Sequence, residues 1–125
     1  FAEIEAIVAT KILGADAVVI DEFVTRALLE NPLGVQERMR KKLHKSIKMD
    51  HEHLNEFKNH VSGITVIRSF ELITIAFEKG LFKDYYLNLK NPKETLLDGL
   101  FWGIKLNGCS VTEREIAIVK KLEGF

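Results

Sequence analysis

The stretch from Glu3 to Glu22 constrains this chain more than any other. Ile4, Ile7, Val8, Ile12 and Leu13 recur at helical spacing behind the acids Glu3 and Glu5, so residues 3–13 read as a helix with an acidic start. Gly14 supplies a left-handed stop. Ala17-Val18-Val19-Ile20 is a continuous apolar run between Asp16 and Asp21, the pattern of a short strand buried on both faces of a parallel sheet. Asp21 and Glu22 stand where that strand ends, which is where open α/β sheets form their ligand sites. One helix–strand unit thus carries two acidic clusters, and together they suggest a divalent-metal site. Mg²⁺ is usually held by one or two carboxylates together with water and substrate phosphate. A metal so held activates water and steadies the leaving oxygen of a phosphodiester.

The rest of the chain reads as helices around one further strand. Residues 22–30 form a helix that Asn31-Pro32 ends, because the residue before proline disfavours helical dihedrals. Val35, Met39, Leu43 and Ile47 recur every four residues, and Arg38, Arg40, Lys41, Lys42, Lys45 and Lys48 fill the other faces, so 33–49 reads as a basic amphipathic helix. Asp50 caps a helix running to Val61. Ile64-Thr65-Val66-Ile67 is a second strand, and Ser69 caps a helix that ends at Gly80. Residues 81–91 are irregular, Pro92 opens a helix to Leu106, and Thr112-x-x-Glu115 is a capping box opening the last helix to Leu122.

Composition adds bounds. The 125 residues suffice for one domain, and 46% hydrophobic with 29% charged residues is an ordinary globular balance. Eighteen basic and eighteen acidic residues cancel, so any argument for a nucleic-acid partner rests on local patches. The single Cys109 cannot close an internal disulfide, and the expected compartment is the reducing cytoplasm. No apolar run reaches the roughly 20 residues of a spanning helix, so no membrane partner is expected. The chain opens on Phe1 directly into a helix, and the expectation is a piece of a longer protein.

The order Glu3-x-Glu5-Ala6-Ile7, Gly14-Ala15-Asp16, Val19-Ile20-Asp21-Glu22 and Arg26 resembles the carboxyl-terminal half of a PIN-like domain, nearest an archaeal nucleic-acid-binding branch. Ile64-Thr65-Val66-Ile67-Arg68-Ser69-x-Glu71-Leu72 and Ala76-x-Glu78-Lys79-Gly80-Leu81 fit the strand–helix segment that follows in such proteins. The resemblance spans about residues 3–82, with 32–61 as a helical insertion. It implies an α/β, helix-rich PIN-like fold with a short parallel sheet, incomplete at the amino terminus, and residues 1–125 as one partial domain. It also implies an Mg²⁺- or Mn²⁺-dependent ribonuclease or its nucleic-acid-binding relative. Glu3, Asp21 and Glu22 would be catalytic, with Glu3, Glu5 and Asp21 ligating the metal. The first-strand Asp of such domains has no counterpart here. Arg26, Arg38, Lys41, Lys42 and Lys45 would contact RNA.

Simpler readings stand beside these. Glu3 and Glu5 suit a helix dipole, Asp21 suits an N-cap, and Arg26 suits an ion pair with Glu22 one turn earlier. A solvated face accounts for the basic helix, and the lack of interleaved aromatics speaks against a stacking platform there. Of His44, His51, His53 and His60, the His51-x-His53 pair has the wrong spacing for one helix face, whereas His53 and His60 are seven apart and could align on a zinc ion; exposed polar histidines are the simpler reading. Two rivals to the nuclease follow: a non-catalytic PIN-like scaffold that binds RNA or a protein, and a module in which helices 33–49 and 51–61 pack on a second copy. The short sheet would be completed by a missing amino-terminal segment or by another chain.

Overall fold

The computed structural model describes residues 2–125; Phe1 lies outside the described residues. The elements are α1 (Ala2–Leu13), β1 (Ala17–Val19), α2 (Phe23–Glu30), α3 (Pro32–Leu43), α4 (His51–Val61), β2 (Thr65–Ile67), α5 (Ser69–Glu78), a 3-10 turn (Lys83–Tyr85), α6 (Pro92–Leu106) and α7 (Glu113–Leu122). The class is α/β and helix-rich, with β1 and β2 forming a short two-stranded parallel sheet. The chain divides into two compact units, Phe1–Val66 and Ile67–Phe125.

In the first unit, Ile7 of α1 and Val18 and Ile20 form a small core, with Ala6, Leu29, Val61, Ile64 and Val66 packed against it. Gly14 takes φ +63°, the left-handed turn that lets the chain leave α1 and return as β1. The strand is not buried on both faces as its apolar run suggested. Val18 is buried, but Ala17 and Val19 are exposed, because a two-stranded sheet has too few neighbours to cover them.

The basic helix is shorter than its pattern indicated. It ends at Leu43, where His44 adopts a left-handed φ of 51°. Gln36 of α3 then donates from Nε2 to the Ile47 carbonyl at 2.8 Å, tying down the returning loop. Ile47 continues the every-four stripe in sequence, yet it is half-buried by that loop rather than by a further helical turn. Asn31 starts α3 by accepting the Gly34 N–H at 3.0 Å, with Pro32 at the first helical position. Asp50 caps α4 as expected, accepting the His53 N–H at 3.1 Å.

The second unit has the larger core. Phe70, Phe77, Leu97, Phe101, Cys109, Val111 and Ile116 form it, and the Phe70 and Phe101 rings lie 4.6 Å apart. Arg68 rather than Ser69 is the residue that precedes α5, and its N–H donates to Glu71 Oε2 at 2.7 Å. The Arg68 side chain is buried, donating to Glu71 and, from Nη1, to the Ser110 carbonyl at 2.8 Å, and it stands 2.9 Å from Glu115 Oε1. Glu115 also completes the capping box with Thr112 that opens α7.

Candidate functional site

Glu3 and Glu5 sit in the first turn of α1, half-buried and exposed respectively. Asp21 is half-buried in the link after β1. Glu22, not Asp21, caps α2: its Oε1 accepts the Val24 N–H at 2.7 Å and its Oε2 the Thr25 N–H at 2.6 Å. Burial raises the Glu22 pKa, but the Thr25 and Val24 amides outweigh it and hold the carboxyl below its usual value. Arg26 reaches forward to Glu30 at 3.5 Å rather than back to Glu22, whose oxygens face the helix amides.

Among the described residues, no three His, Cys, Asp or Glu side chains gather closely enough to hold an ion. Glu22 has an amide on each carboxylate oxygen, which leaves it poorly disposed to serve as a ligand. Two of the histidines are engaged locally: His53 Nδ1 lies 2.7 Å from Asp50 Oδ2, and His60 Nδ1 lies 2.8 Å from the Glu56 carbonyl.

The cations of α3 are arranged differently. The helix carries them on two sides, each bordering a concavity. On one side Lys41 and Lys45 join Arg40, His44 and Ser46 around a hollow of about 390 Å³. On the other, Arg38 and Lys42 line a groove of about 390 Å³ between α2 and α3, with Val35 and Met39 on its α3 wall and Phe23 and Val24 on its α2 wall. Glu37 partly neutralises the first side, accepting from Arg40 through two bonds of 2.9 Å and standing 3.4 Å from Lys41. Arg40 is the main cause holding the Glu37 carboxyl below its usual value. Among the described residues no acid pairs with Lys42, Lys45 or Lys48. The positive charge crowds the last turn of α3, where the helix dipole favours it.

The structure keeps Arg38, Lys41 and Lys42 on α3 but leaves Lys45 in the loop beyond Leu43, and the concavities also take in Phe23, His44 and Ser46, which the sequence did not mark as RNA contacts. Phe23 is the most telling omission. It belongs to α2, yet the Arg38 guanidinium lies 4.3 Å over its ring. The aromatic absent from the basic run in sequence is supplied by the neighbouring helix. Trp102 and Tyr85, by contrast, belong to the second unit: Lys105 stands 5.2 Å from the Trp102 ring centroid, and Tyr85 meets Phe82 edge-on.

No family model, curated protein or solved structure matches the chain.

Proposed function

We propose that this protein binds RNA through α3, as a non-catalytic, nucleic-acid-binding relative of PIN-like domains. One observation carries the reading: the last two turns of α3 and the following loop present Arg38, Arg40, Lys41, Lys42, Lys45 and Lys48 to solvent, with Glu37 the only acid on that helix. Such a surface attracts a phosphate backbone regardless of sequence and releases counterions when it binds. The α/β class with two parallel strands is compatible with the resemblance.

Hydrolysis is the second reading. It rests on Glu3, Glu5 and Asp21 alone, since the Glu22 carboxylate is engaged by the α2 amides. A Mg²⁺ or Mn²⁺ held there, with water and substrate phosphate at its remaining positions, would supply a metal-activated water for phosphodiester cleavage.

Fluorescence anisotropy with a labelled single-stranded RNA tests the first reading. The wild-type protein should bind, and a Lys41→Gln, Lys42→Gln, Lys45→Gln variant with an unchanged fold should bind at least tenfold more weakly. Equal affinity for the two would refute it. Mn²⁺-dependent cleavage lost in Asp21→Asn would instead establish the second reading.

A further inference from the structure

We infer that the groove between α2 and α3 is a nucleobase pocket, taking a base of the single-stranded RNA whose phosphates the α3 cations hold. The inference rests on the RNA-binding reading of α3 and adds base contact to it. A purely electrostatic surface needs no cavity and no aromatic group; this one has both. The groove is about 390 Å³, near the lower end of the roughly 300–1,000 Å³ typical of small-molecule pockets.

Its chemistry suits a flat, amphipathic ring. Val35 forms a buried floor, while Val24, Met39 and Leu43 line the groove with their side chains 41–51% exposed, an apolar surface left open to solvent. At the mouth, Arg38 lies over Phe23, so an entering base meets a guanidinium already placed against an aromatic face. Bases stack on both kinds of surface, and the stacking tolerates any base. Lys42 lines the same groove one turn beyond Arg38, within reach of the phosphate attached to a bound base. Glu22 lines the opposite edge.

The test compares three labelled probes of equal length on the wild-type protein: oligo(C), oligo(U) and an abasic sugar-phosphate oligomer. All carry the same charge, so the α3 cations alone cannot tell them apart. Oligo(C) and oligo(U) are both expected to bind more tightly than the abasic strand, by roughly tenfold. Phe23→Leu should shrink that gap while leaving the salt dependence unchanged, because stacking releases no counterions. Equal binding of all three probes would overturn the pocket and leave the backbone reading standing. Failure of every probe to bind would refute the RNA reading itself.

Discussion

Replacing Arg68 should destabilise the second unit more than the loss of any surface charge. Its side chain is 9% exposed, while Glu71 and Glu115 beside it each keep 36%. Arg68→Met preserves most of the stem volume but removes the guanidinium from two carboxylates, which keep only their backbone and Thr112 donors, and from the Ser110 carbonyl. Breaking a buried ion pair costs about 3–5 kcal/mol. The two acids are partly solvated and can turn toward water, so about 3 kcal/mol is expected here, the lower end of that range. The single Trp102 lies in this unit and reports its unfolding by fluorescence. A urea titration should show a lower midpoint with an unchanged slope. The triple variant Arg68→Met, Glu71→Gln, Glu115→Gln should recover part of the loss, because it no longer confines two unpaired charges. A loss below about 1 kcal/mol for Arg68→Met would place the cluster among ordinary surface pairs and refute the reasoning.

The same cluster sets a pH dependence. Burial pushes the Glu71 and Glu115 carboxyls up, but the Arg68 guanidinium at Glu71, and at Glu115 first the Thr112 amide and hydroxyl and then Arg68, hold both below the usual 4.5. Groups with a depressed folded-state pKa contribute stability above their unfolded value and lose it as pH falls through the folded one. Wild-type stability should therefore drop as pH falls below about 4.5, with a shallower drop in Arg68→Met; parallel curves would contradict this. Gly99 and Gly103 lie inside α6, and a Cβ added at either would meet nothing within 4 Å. Since helix-interior glycine costs about 1 kcal/mol relative to alanine, Gly99→Ala and Gly103→Ala should each raise the urea midpoint, and a lower midpoint would show that the backbone there needs glycine.

Much of the element order was legible because the punctuation was strong. Gly14, Asn31-Pro32, Asp50, Pro92 and the Thr112–Glu115 box end or begin helices for local reasons that tertiary packing does not override. Where the reading failed, a periodic pattern outran its cause. Ile47 kept the spacing of Val35, Met39 and Leu43, yet the helix had already stopped at His44. Asp21 suits an N-cap by sequence, yet the Val24 and Thr25 amides choose Glu22 instead. The division after Val66 carries no Gly- or Ser-rich linker to announce it. Phe23 beside Arg38 was illegible for a plainer reason: adjacency across two helices leaves no trace in a single linear run.

The salt dependence of single-stranded RNA binding tests the central claim most directly. If Arg38, Lys41, Lys42 and Lys45 each neutralise one phosphate, log affinity against log salt should fall with a slope of about −2 to −3. Changing all four to glutamine should bring the slope close to zero. A wild-type slope near zero, or a steep slope that survives the four substitutions, would contradict an RNA-binding role for α3.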